Sequence, residues 1–239
     1  MSEPGADEAG WLAATDGMEM MLAGWRHVGP RQLGCFFLAC AETIFRRRPP
    51  ADRSTALLPL VWDVVDGVTP WESAPAIGDL EEWQNLIQLV GRTRGRERTR
   101  VLVQSDSALA TNFLACALGH SGMWWSQRTS VVGLDPWHLR QIEVFELRRE
   151  QIVADHGPLL RDIAGNPFRP VAFAPEWRTE AVVALARTMY ESRDFAAMPV
   201  LADALDDAGC DHADLLAHCR GPGPHVRGCW VVDLVLGKT

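Results

Sequence analysis

The chain has 239 residues, 47% of them hydrophobic, which is enough to fill a real core and argues against disorder. Its 23 basic and 31 acidic side chains leave a formal charge of -8, which as a whole repels nucleic acid and anionic membrane. The acidic opening MSEPGADEAGW lacks the basic and apolar regions of a signal peptide, and no apolar run approaches the roughly eighteen residues of a membrane span, so a cytoplasmic protein is expected, with its six cysteines as thiols or metal ligands.

Apolar residues recur at helical spacing, and no run of alternating strands is found; the expectation is all-α. A first helix is predicted from about Glu8 to Trp25, ended by His27-Val28-Gly29-Pro30. A second follows from about Arg31 to Arg46, where Leu33, Phe36, Phe37, Leu38, Ile44 and Phe45 cover more than one face and imply a central position. After Pro49-Pro50, Asp52 or Ser54 can cap a third helix carrying Leu57, Leu58, Leu60, Val61, Trp62 and Val65, with Pro59 kinking or delaying it. Gly67 to Gly78 reads as a loop. A helix from Asp79 to Val90 then leads into GRTRGRERTR, where Arg92, Arg94, Arg96, Arg98 and Arg100 make the strongest basic run.

Ser107 to Leu118 is an apolar helix, and Asp135-Pro136-Trp137 signals the start of a longer one through about Glu150. The helix ending LLRDIAG is closed by Gly165, and Asn166 to Pro170 must be extended or turning. Thr179 to Glu191 presents Val182, Val183, Leu185, Ala186, Met189 and Tyr190 as one stripe. Asp194 caps a single turn, Pro199 opens a helix to Ala208, Asp211 caps Ala213 to Cys219, and Pro224 opens a helix to Leu236. The predicted architecture is a multi-helix bundle able to divide into two packed helical subdomains, an N-terminal region over 1–156 and a C-terminal module over 157–239. The latter is ordered around Val183, Ala186, Tyr190, Leu201, Leu205, Leu215, Trp230 and Val231.

The strings LLRDIAGNPFRPV, AVVALARTMYESRDFAAMPVLADALDDAGC and HCRGPGPHVRGCWVVDLVLGK resemble the shared C-terminal region of a large paralogous family of planctomycete-type bacterial proteins. The resemblance covers roughly Pro158 to Lys238 and continues more weakly in EAGWLAATDGMEMMLAGW and RQLGCFFLACAETIF. It implies one recurring helical architecture and assigns no activity, cofactor or catalytic residue.

Half of the six cysteines and three of the seven histidines lie in the last thirty residues, CDHADLLAHCRGPGPHVRGCWVVDLVLGKT. Cys210, Cys219, His225 and Cys229, spaced C-x8-C-x5-H-x3-C, offer the thiolate and imidazole ligands that suit tetrahedral zinc. His212 and His218 are rival ligands, and the helical spacer between Cys210 and Cys219 should hold the set apart. The favoured expectation is therefore no metal, with these cysteines packed as small hydrophobes. GPGPHVRGCW also reads as an anion-binding turn, with His225 and Arg227 as donors, although Pro222 and Pro224 remove two backbone N–H groups. Capping by Arg220 and Arg227 against Asp203, Asp206, Asp207, Asp211 or Asp214 is the plainer explanation.

Gly119-His120-Ser121-Gly122-Met123 begins like a nucleophile elbow but has Met123 where glycine is required and follows a helix. Asp155 with His156 and Asp135 with His138 are acid–base candidates by adjacency alone. Trp124 and Trp125 are the densest point among ten tryptophans and are expected in the core unless exposed at an interface. These observations lean against an enzyme and assign no catalytic residue. The leading expectation is a non-catalytic interaction or scaffold module whose protein partner is drawn to the Arg92 to Arg100 run; the alternative is a zinc protein using Cys210, Cys219, His225 and Cys229, and the third an enzyme of unassigned class.

Overall fold

A computed structural model of the protein describes residues 7–24, 26–47, 57–69 and 151–238. Among them the fold is helical and no strand is formed, in agreement with the all-α expectation. The helices are α1 (Glu8–Ala13), α2 (Gly17–Gly24), α3 (Pro30–Arg47), α4 (Leu57–Val65), α5 (Gly157–Ala164), α6 (Glu180–Ser192), α7 (Met198–Asp207), α8 (Ala213–Arg220) and α9 (Trp230–Leu236), with a 3₁₀ turn at Pro175–Trp177. The chain divides into two compact units, one comprising residues 1–32 and 156–239 and the other residues 33–155. No helix among the described residues is long and apolar enough to cross a membrane.

In the second unit Cys35, Phe36, Phe37, Leu38, Ala39, Cys40 and Ala41 are all buried, so the middle of α3 is enclosed on every side, as its apolar run implies. The indole N–H of Trp62 on α4 donates to Glu42 Oε1 on α3 at 3.0 Å, which satisfies a fully buried tryptophan. Pro59 lies within the first turn of α4, where its missing N–H costs no intrahelical bond.

In the first unit, the single opening helix predicted from Glu8 to Trp25 is two. The first closes at Ala14, and Asp16 starts the second: its Oδ1 accepts from the Glu19 N–H at 2.9 Å while the Glu19 carboxylate reaches back to the Thr15 N–H at 2.9 Å. This reciprocal capping offers the backbone a better partner than continuation of α1 would. Gly165 closes α5 as expected, at φ 59°. A Cβ at Gly165 would meet the Trp230 ring at 3.1 Å, so both backbone freedom and absence of bulk are used there.

The Thr179 hydroxyl caps α6 by accepting from the Val182 N–H. α6, α7, α8 and α9 enclose Ala186, Tyr190, Leu201, Leu205, Leu215 and Val231 as predicted, with Val183 and Trp230 partly buried against that core. His212, rather than Asp211, caps α8 through Nδ1. The other departure decides the site: Pro224 does not open the last helix. Residues 221–229 run as a non-helical loop with a cis Gly223–Pro224 bond, and α9 begins only at Trp230. Gly228 at φ 94° interrupts any helix there, and the Val226 N–H is given to a side chain outside the loop.

Candidate metal centre

That side chain is Asp162, on the buried stripe of α5 beside Leu159, Leu160, Ile163 and Ala164. A carboxylate in such company needs several donors to remain ionised. It has three: His225 Nδ1 lies 2.7 Å from Oδ1, His218 Nε2 lies 3.1 Å from the same oxygen, and the Val226 N–H donates to Oδ2 at 3.0 Å. Burial pushes the Asp162 carboxyl upward, but the bonds from His218 and His225 outweigh it and hold the group below the ordinary aspartate value.

Each partner is positioned by local structure. His218 comes from the last turn of α8, and its ring packs edge-on against His225 at 4.9 Å and tilted against Trp230 at 5.2 Å. His225 is carried inward by the loop; its side chain is only 9% exposed, and its Nε2 is buried without a hydrogen-bond partner among the described residues. Cys229 precedes α9 and is fully buried, with Sγ 3.3 Å from His218 Nε2. The donor atoms of Asp162, His218, His225 and Cys229 all lie within 4.8 Å of one another.

This group shares His225 and Cys229 with the set read from spacing but replaces Cys210 and Cys219 with Asp162 and His218. The predicted spacer helix is present as α8. It directs His218 toward the centre while Cys219, the next residue, is packed in the apolar core with Cys210. Burial raises the Cys210 thiol and pushes Cys219 up to about 12. Burial also raises Cys229 well above the usual thiol range, with the Asp162 charge adding to the effect and the backbone N–H groups of Val232 and Val231 opposing it.

The arrangement does not make a nucleophilic triad. Such a triad needs a base that faces the nucleophile through one ring nitrogen and its orienting acid through the other. Here the same Nε2 of His218 faces both Cys229 and Asp162. The anion reading of the corner also gives way, since a buried carboxylate already takes the Val226 N–H and His225. Arg220 bonds Asp203 and Asp206 at 3.2 and 3.1 Å, as the capping explanation expects, and the Arg227 guanidinium lies 4.6 Å from the centre of the Tyr190 ring.

Asp155 accepts from Gln151 at 2.7 Å, and His156 is the residue before α5. The run from Arg92 to Arg100, the Gly119 to Met123 segment, Trp124, Trp125, Asp135 and His138 lie outside the described residues. No protein-family model matches the chain, and no curated protein or solved structure matches it.

Proposed function

We propose that the protein is a zinc-binding helical module in which Asp162, His218, His225 and Cys229 hold one ion in a structural role. The convergence of these four donor atoms within 4.8 Å carries the reading. Two imidazoles, a carboxylate and a thiolate match the ligand types and number of tetrahedral zinc, whereas calcium and magnesium favour all-oxygen shells. At zinc–ligand lengths of about 2.0–2.3 Å, tetrahedral donors stand roughly 3.3–3.8 Å apart. The 3.1 and 3.3 Å contacts are near that range, and the 2.7 Å Asp162–His225 contact opens by about 0.6 Å to meet it.

Charge supports the same conclusion. One carboxylate and one thiolate neutralise a divalent cation, so the buried centre carries no net charge, and the cation supplies what a fully buried Cys229 lacks for deprotonation. All four ligands fall inside the strings that resemble the planctomycete-type family, so the centre belongs to that shared corner on this reading. The ion ties α5, α8, the 221–229 loop and the start of α9 into a rigid base, and we read the module as a non-catalytic cytoplasmic scaffold for a protein partner.

Elemental analysis of protein purified without chelator tests the metal. Stoichiometric zinc in the wild type, lost in a His225→Ala, Cys229→Ala double variant, is expected. A folded wild type that retains no zinc after incubation with zinc and dialysis overturns the reading.

A further inference from the structure

We infer that zinc occupancy controls how firmly the α1–α2 helix pair is docked, with α5 as the coupling element; this rests on the zinc reading above. Asp162 and Arg161 are consecutive residues on an eight-residue helix. Asp162 faces the metal centre. Arg161 Nη2 donates to the carbonyls of Trp11 at 3.2 Å and Ala14 at 2.6 Å, two of the groups left without intrahelical partners where α1 ends.

Further contacts to α1 and α2 come from α5 and the turn after it. The Trp11 indole N–H donates to the Gly165 carbonyl at 3.2 Å, and Asn166 Nδ2 donates to Glu8 Oε1 at 2.7 Å. A Cβ at Gly157 would lie 3.0 Å from the Gly17 backbone nitrogen, so the starts of α5 and α2 meet backbone to backbone. Neighbouring residues on an α-helix are fixed about 100° and 1.5 Å apart, so a shift of the α5 backbone at Asp162 toward or away from the corner carries Arg161 with it. An ion bound through Asp162 therefore stabilises the pose of α5 that grips α1.

Linkage makes the effect reciprocal: docking of α1–α2 strengthens zinc binding by the factor by which zinc strengthens docking. Couplings of this kind are typically about 5- to 150-fold.

The full-length chain is compared zinc-free and zinc-loaded, with amide exchange followed by mass spectrometry, metal content measured on the same samples, and zinc affinity obtained by chelator competition. In the wild type, zinc is expected to slow exchange in residues 8–24 as well as in 157–165 and 213–236. In Arg161→Ala the protein still loads zinc at saturation and still slows 157–165. The slowing of 8–24 is lost, and zinc affinity falls by about 5-fold or more. Arg161→Lys, which keeps charge but not the forked donor, gives an intermediate result and serves if the alanine variant does not fold. Zinc that protects the corner and leaves 8–24 unchanged in the wild type overturns the coupling, as does full protection of 8–24 in either variant. Failure of the zinc reading itself is separately visible as wild-type samples without metal.

Discussion

Replacing Asp162 with alanine removes the one acceptor shared by three donors. The His225 Nδ1, the His218 Nε2 and the Val226 N–H lose partners at 2.7, 3.1 and 3.0 Å. His218 retains some exposure and can turn to water, but the His225 side chain is enclosed by the corner and the Val226 amide is partly buried. An unsatisfied buried donor costs about 1–3 kcal/mol, and breaking a buried charged network costs about 3–5 kcal/mol, so the metal-free variant should lose about 3–5 kcal/mol in the first unit. Because the chain has two units, the loss is best read locally, from the slowest-exchanging amides of α5 and α9. At about 1.4 kcal/mol per decade these amides should exchange roughly 10²- to 10⁴-fold faster than in the wild type. Zinc at a hundred times its dissociation constant should add about 2.7 kcal/mol to the wild type and little to Asp162→Ala. An acceleration below about tenfold would show that Asp162 is not the keystone of the corner.

The Asp162 carboxyl is held below its ordinary value, so its contribution to metal-free stability should be complete above about pH 4 and decline as pH falls through the folded-state value. The stability difference between wild type and Asp162→Asn across pH 6 to pH 3 measures this; a difference that grows on acidification refutes it. Cys219, pushed up to about 12, and Cys229, raised well above the usual thiol range by burial, should resist iodoacetamide at pH 8 in native protein, with peptide mapping as the readout, and modification of either at the rate of an unfolded control contradicts their burial. Arg31 bonds both Asp233 oxygens at 3.2 and 3.0 Å and the Tyr190 hydroxyl at 3.0 Å, so Arg31→Ala leaves a buried carboxylate without this partner and should cost about 3–5 kcal/mol. A loss below about 1 kcal/mol by amide exchange in α6 and α9 would mean that the pair is solvated.

Helices with strong local punctuation were legible from the chain. Thr179 before an apolar stripe and Gly165 after LLRDIA mark ends that the structure keeps, because a cap satisfies backbone groups whatever packs nearby. The break at Asp16 was legible in principle, since Asp16 and Glu19 have capping-box spacing, but the apolar residues on either side read as one stripe. The start of α9 could not be read locally: Pro224 is a sound helix opener, and only the remote carboxylate of Asp162 reveals why the Val226 amide is spent elsewhere. The metal centre shows the same division. His225 and Cys229 stood out by type and spacing, and His218 was a rival ligand. Asp162, 56 residues before His218, gave a single signal, an acid amid the buried residues of α5. Cysteine spacing favoured Cys210 and Cys219, yet α8 turns Cys219 into the core and brings His218 to the centre.

Cobalt(II) substitution is the most direct test of the zinc centre, because the absorption spectrum reports both geometry and sulfur ligation. Titrating cobalt into metal-free protein should produce intense tetrahedral d–d bands and a thiolate charge-transfer band, both displaced by zinc. In Cys229→Ser the charge-transfer band should vanish, while Cys210→Ser and Cys219→Ser should retain it. A spectrum of weak octahedral bands, or a charge-transfer band that survives Cys229→Ser and is lost with Cys210 or Cys219, would contradict the assignment of Asp162, His218, His225 and Cys229 as the ligands.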